Sequence, residues 1–146
     1  MEFEYKKKTT TQLRNWYLDK VRRGKSGFQN IEDFLKWYSN EKKLCFYCGL
    51  TEEESQKIVL TGVLKSKRFP SNGKITQGRS RGVWLEIDRK YPDRVMYSKE
   101  NCVLCCYFCN NDKSDVFDAE SYKEFIKDGK ESRLSYLKAI LKNILK

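Results

Sequence analysis

Apolar residues recur along this chain at two different spacings, and the change of spacing separates a small central unit from helical flanks. Leu13, Trp16, Tyr17 and Val21 fall at i, i+3, i+4 and i+8, which predicts an amphipathic helix. Thr9 or Thr10 is placed to cap it, and Arg22-Arg23-Gly24 supplies a basic last turn and a stop. The polar, basic residues 1–9 ahead of it read as a loose arm. Asn30 opens a second helix whose buried stripe is Ile31, Phe34, Leu35 and Tyr38, with Trp37 beside it. Thr51 caps a short helix starting at Glu52, and residues 57–64, which fit helix or strand, are read as strand. The period then drops to two. Residues 84–88 and 101–105 predict strands, joined by a loop over 91–100 that contains Pro92, and residues 110–115 begin a short helix. Beyond it, Asp118 caps a helix with Tyr122, Phe125 and Ile126 on one face and Gly129 at its end. A last helix over 131–145 buries Leu134, Leu137, Ile140, Leu141 and Ile144. The expected class is α+β, in one domain of 146 residues. A core over 44–116 lies between helical parts at 1–43 and 117–146.

Charge narrows the partner. Lysine and arginine total 30 against 20 acids, a formal net charge of +10. A solvated surface accounts for some of that excess, but its local concentration favours nucleic acid. Residues 65–81, KSKRFPSNGKITQGRSR, contain no acid and carry Lys65, Lys67, Arg68, Lys74, Arg79 and Arg81. These six are the candidate phosphate contacts, on a flexible loop with one small strand candidate at Lys74-Ile75-Thr76. A surface insertion without a partner is the alternative. Lys20, Arg22, Arg23 and Lys25 either touch phosphates too or merely complement a helix dipole. No run approaches the roughly 20 apolar residues of a membrane span, and residues 1–11 lack the apolar stretch of a secretion signal. An intracellular protein is expected.

Six cysteines in such a setting point to a metal rather than to disulfides. They form three CxxC pairs: Cys45/Cys48, Cys102/Cys105 and Cys106/Cys109. A tetrahedral zinc site takes two pairs, and the chain has no histidine to substitute. Cys45/Cys48 stands alone and is one half. Cys106/Cys109 sits at the predicted strand-to-helix corner, where a turn presents both sulfurs. Cys102 and Cys105 fall inside a strand and point to opposite faces, so they read as small buried apolar residues. The expected zinc is structural and pins the first half of the chain to the core.

The strand–loop–strand–helix unit also brings two oxygen donors together, with Asp88 ending one strand and Asn110 opening the helix. Such a pair suits a hard divalent cation, magnesium or manganese. LEIDR, then Glu100-Asn101, then CYFCNNDKSD, together resemble the ββα-metal core of the HNH nucleases, in the variant where Asp-Arg replaces Asp-His. FLKWY ahead of CFYCG extends the resemblance over about residues 31–126, toward the small restriction enzymes of that family. The resemblance implies a metal-dependent endonuclease on double-stranded DNA, of bacterial or phage origin, and a homodimer if both strands are cut. It casts Asp88 and Asn110 as ligands of the catalytic cation, Asn101 as the residue that braces the loop and orients the attacking group, and Lys113 as a group facing the substrate phosphate. Arg89 stands where the family has its proton acceptor, and a guanidinium cannot accept a proton. Period two also aims Arg89 away from Asp88. Candidate bases are Tyr47, Tyr91, Tyr97, Glu86, or hydroxide on the metal. A phage nicking or homing nuclease, a catalytically silent zinc-containing DNA-binding module and a zinc-stabilised protein-interaction domain are the competing readings. Asn110 as a helix cap, Asn101 as a turn residue and Asp88 as a lysine's partner are the structural alternatives.

Overall fold

The computed structural model describes residues 3–70, 73–76 and 78–144, with helices α1 (Thr10–Arg22), α2 (Ile31–Asn40), α3 (Glu52–Leu60), α4 (Tyr107–Lys113), α5 (Ala119–Ile126) and α6 (Lys130–Ile144). Strands β1 (Glu86–Arg89) and β2 (Cys102–Cys105) pair antiparallel, with Asp88 opposite Val103 and Arg89 opposite Cys102. The strand–loop–strand–helix order is the expected one, and the mixed helix and two-stranded architecture matches the α+β expectation.

The N-terminal helices form because their caps and apolar stripes agree. Thr9 and Gln12 make a reciprocal capping box at α1, and Asn30 accepts from the Asp33 amide at α2. Phe34 is fully buried at their crossing, stacked on Trp16 at 4.9 Å and in edge contact with Phe28 at 5.3 Å. The aromatics are core, as their spacing predicted. Val21 is not: it is exposed, because the neighbouring Lys20 takes the inward place and lays its ammonium 4.9 Å from the Tyr97 ring.

Three stretches depart from the expectations. Residues 57–64 do not form a strand, because the Thr51–Glu54 capping box launches α3 through Leu60, burying Ile58 and Val59. The described arm residues are held down. Lys6 donates its amide to Gln56 at 2.8 Å, its carbonyl accepts from Gln56 and from the Trp84 indole, and the Tyr5 hydroxyl bonds Glu52. The basic loop is pinned at its base by Phe69, which packs with Val59, Val83 and Tyr107. Among the described residues its Lys74-Ile75-Thr76 stretch makes no strand, only an isolated bridge from Thr76 to Arg79.

The C-terminal helices cover the other side. Asp118 caps α5, whose Tyr122 and Ile126 are buried one turn apart, while Phe125 faces outward against Phe117. The predicted three-residue face is thus a two-residue seam, since α5 is only two turns long. In α6, Leu137 and Leu141 are buried and Leu134 and Ile140 pack at the edge. Leu145 and the side chain of Ile144 lie outside the described residues. No described helix is long and apolar enough to cross a membrane.

Candidate active site and metal centre

The four cysteines chosen from the spacing converge. The sulfurs of Cys45, Cys48, Cys106 and Cys109 all lie within 4.8 Å of one another, and all four residues are buried. Cys48 and Cys106 Sγ are 3.7 Å apart, close to the edge of about 3.8 Å that follows from a tetrahedron with Zn–S bonds of about 2.3 Å. Each CxxC turn aims a backbone amide at its first sulfur, Cys48 N to Cys45 Sγ at 3.5 Å and Cys109 N to Cys106 Sγ at 3.4 Å. Gly49 permits the first turn at φ 85°, donating to the Cys45 carbonyl. Hydrogen bonds from Cys106, Cys109 and Cys48 hold the Cys45 thiol far below the usual cysteine range. An all-sulfur cage of this size fits a structural zinc and could hold one. Cys102 and Cys105 stay outside it, buried in β2, with burial pushing the Cys102 thiol up to about 12.

The knuckle docks on the strands through Phe46, whose amide bonds the Leu104 carbonyl at 2.9 Å. That contact delivers Tyr47 to Asp88. The Tyr47 hydroxyl donates to Asp88 Oδ2 at 3.0 Å, and the Lys113 ammonium sits 3.2 Å from the same oxygen. Both contacts fall on Oδ2; Oδ1 carries no hydrogen bond among the described residues. Burial raises the Asp88 carboxyl above its usual range, and Lys113 is the chief opposing influence.

Lys113 therefore does not face a substrate phosphate. It is 0 % exposed, paired with Asp88 and bonded to the Arg89 carbonyl at 3.0 Å, because α4 starts early. Cys106, not Asn110, is the N-cap of α4, which begins at Tyr107 rather than at 110 and turns Lys113 under β1. Asn110 is consequently inside the helix, and the reading of it as a cap fails. Its Nδ2 donates to Glu86 Oε1 at 2.8 Å. A carboxylate only accepts, so this bond fixes the amide with its carbonyl oxygen free. Glu86 in turn is gripped by the Arg81 guanidinium, which also lies 4.8 Å over the Tyr107 ring.

Asp88, Asn110, Arg89 and Ile87 line one cavity of about 200 Å³, closed by Pro92 and Tyr97 from the loop and by Ser114 and Asp115 after α4. Arg89 does reach it, contrary to strict alternation, since β1 ends there and the cavity wraps the strand end. Its Nη1 donates to the Val95 carbonyl and its guanidinium lies 5.2 Å from the Tyr97 ring. Asn101 braces the loop: its Oδ1 accepts from Tyr91 N at 3.0 Å, and its Nδ2 donates to Arg94 O at 3.0 Å and Met96 O at 3.1 Å. With its amide engaged by backbone in this way, it orients the loop rather than an attacking group.

The candidate bases separate. Tyr47 is buried and donates to a carboxylate, and burial and Asp88 drive its phenol far above the usual range. Tyr91 donates to Glu120 at 2.5 Å, away from the cavity. Glu86 is taken by Arg81 and Asn110. Ser114 and Asp115 were not singled out by the sequence. The only signal for them was their place at the polar end of CNNDKSD. Of the six basic loop residues, Arg68 bonds the Tyr107 hydroxyl at 3.2 Å and Arg81 is held by Glu86. Lys65, Lys67, Lys74 and Arg79 are exposed and make no ion pair among the described residues.

No protein-family model matches the chain, and no curated protein matches it. Among solved structures it is similar to the rare-cutting HNH restriction endonuclease PacI, at 23% identity and a TM-score of 0.56, over 82% of this chain and 74% of that one. At that identity the likeness is one of fold, and the fold is HNH-like.

Proposed function

We propose that this protein is a divalent-metal-dependent endonuclease that hydrolyses phosphodiester bonds in double-stranded DNA. One observation carries the reading: Asp88, with one carboxylate oxygen free of hydrogen bonds among the described residues, and Asn110, with its amide oxygen free, line the same small cavity as Arg89. Two neutral or anionic oxygens and a cavity open to water suit magnesium or manganese. When bound, such a cation would polarise the scissile phosphate and stabilise the leaving oxygen.

The chain's own groups supply the rest. Lys113 and Tyr47 hold the Asp88 carboxylate in one rotamer, and Glu86 does the same for Asn110. Arg89 is placed to neutralise charge developing on the phosphate. Asn101 fixes the loop that forms the cavity's outer wall. The exposed Lys65, Lys67, Lys74 and Arg79 would hold the DNA backbone, with base readout left to the same loop. A structural zinc on Cys45, Cys48, Cys106 and Cys109 would keep Tyr47 against Asp88. A restriction-type homodimer that cuts both strands is the finer form of this reading.

The test is cleavage of supercoiled plasmid with magnesium or manganese by the wild type, Asp88→Ala and Asn110→Ala. Discrete bands lost in both variants support a sequence-specific enzyme; a smear keeps the nuclease and removes the restriction form. The buried cation of Lys113 on Asp88 and the absence of histidine favour a second reading, a DNA-binding module without activity. Salt-sensitive duplex binding with an intact plasmid would establish that one instead.

A further inference from the structure

Hydrolysis at Asp88 and Asn110 needs either hydroxide on the metal or a side chain that takes the proton of the attacking water, and this chain has no histidine. The cavity itself narrows the choice. Arg89 has no acceptor atom, and Asn110 has no titratable group. Asp88 has its Oδ2 held by Lys113 and Tyr47, and its other oxygen is the one assigned to the cation. Tyr97 has the Arg89 guanidinium 5.2 Å from its ring, and a phenol, with a pKa of about 10, keeps its proton at neutral pH. Ile87 and Pro92 carry no polar side chain and Ser114 only a neutral hydroxyl, which leaves one carboxylate on the wall. Asp115 is exposed, makes no ion pair among the described residues, and its carboxylate accepts one hydrogen bond, from Ser114 Oγ at 3.3 Å. Ser114 is the one non-glycine residue at positive φ among the described residues, with φ 52° and ψ −146°. That backbone stops α4 immediately after Lys113, and both Ser114 and Asp115 then form the cavity wall facing β1.

We propose that Asp115 is the general base of this site, an inference that rests on the nuclease reading above. In the step, the water oxygen forms a bond to phosphorus while one of its protons passes to the Asp115 carboxylate. The bond from phosphorus to the ester oxygen breaks, and that oxygen takes a proton from solvent. The products are a phosphomonoester end and an alcohol end, and Asp115 returns its proton to water.

The experiment is single-turnover cleavage of plasmid with magnesium by wild type and Asp115→Asn from about pH 6 to pH 9, with duplex affinity and thermal melting measured alongside. Asp115→Asn should cut at least about 100-fold more slowly at neutral pH, with affinity and melting unchanged because the side chain is exposed. Its residual rate should climb about tenfold per pH unit as hydroxide replaces the base, while the wild-type profile is flat. Asp115→Glu should restore part of the rate. If Asp115→Asn cuts within about threefold of wild type, or is slowed with the wild-type pH profile, Asp115 is not the base and the nuclease reading stands. If the wild type itself leaves plasmid intact with magnesium and with manganese, the nuclease reading falls and Asp115 falls with it.

Discussion

The ion pair beneath the site is its most exposed point energetically. Lys113 is completely buried, its ammonium is 3.2 Å from Asp88 Oδ2, and the Asp88 side chain is 9% exposed. At an effective dielectric constant of about 20, charges at that separation attract by about 5 kcal/mol, against a desolvation cost of several kcal/mol per ion. The net value of the pair is therefore small, but its asymmetry is large. Lys113→Met keeps the volume and removes the charge, leaving a buried carboxylate with only the Tyr47 hydroxyl, and should cost about 3–5 kcal/mol. Against a total of roughly 5–15 kcal/mol, that brings the fold close to its limit. The double variant Lys113→Met/Asp88→Asn should recover most of the loss, because neither charge remains and the introduced amide oxygen would still accept from Tyr47. The sign with pH follows from the Asp88 carboxyl, already raised by burial and raised further once its chief opposing charge is gone. A raised carboxyl contributes stability that is full below the unfolded value of about 3.9 and lost as pH rises through the folded value. The gap between single and double variants should thus widen with rising pH. Urea unfolding of the wild type, Lys113→Met, Asp88→Asn and the double variant with zinc present measures it. A single-variant cost below about 1 kcal/mol, with no pH-dependent gap, would mean that the ammonium leaves Asp88 in solution and is free to meet a phosphate.

Three further outcomes follow from the same geometry. Zinc analysis should find one ion per chain, unaffected by Cys102→Ala and lost in Cys45→Ala; chelation should abolish cooperative unfolding, since structural zinc in small domains supplies about 10 kcal/mol or more of folding energy. Ser114→Gly should raise stability, because relief of about 1–3 kcal/mol of strain exceeds glycine's entropic cost of about 0.5–1 kcal/mol, while slowing cleavage through a less fixed Asp115; melting and single-turnover rates check both. Lys67→Ala should lower the slope of log affinity against log salt by about 0.9, the signature of one lost phosphate contact, whereas Arg81→Ala, which frees Glu86, should slow cleavage more than it weakens binding.

What the sequence disclosed was what local chemistry dictates. Two CxxC turns need only their own backbone amides to shape them, so the isolated Cys45/Cys48 and the corner pair Cys106/Cys109 were separable from Cys102/Cys105, which lie within a strand. Asn101, whose amide is saturated within ten residues of itself, was likewise readable as a brace. Periodicity located each helix face but not how far the partner surface extends, which is why Val21 and Phe125 ended in solvent. The role of Lys113 was beyond it for a different reason. Position one turn past Asn110 is compatible with either side of β1, and the choice was made by a helix starting at Tyr107, capped by a zinc-site cysteine. The cysteine cluster and the direction of α4 are thus linked through Cys106, which belongs to the one and caps the other. Stripping zinc should on this account do more than loosen the fold. It should release the cap of α4, Tyr47 and Lys113 together, so that Asp88 loses both contacts that hold its rotamer.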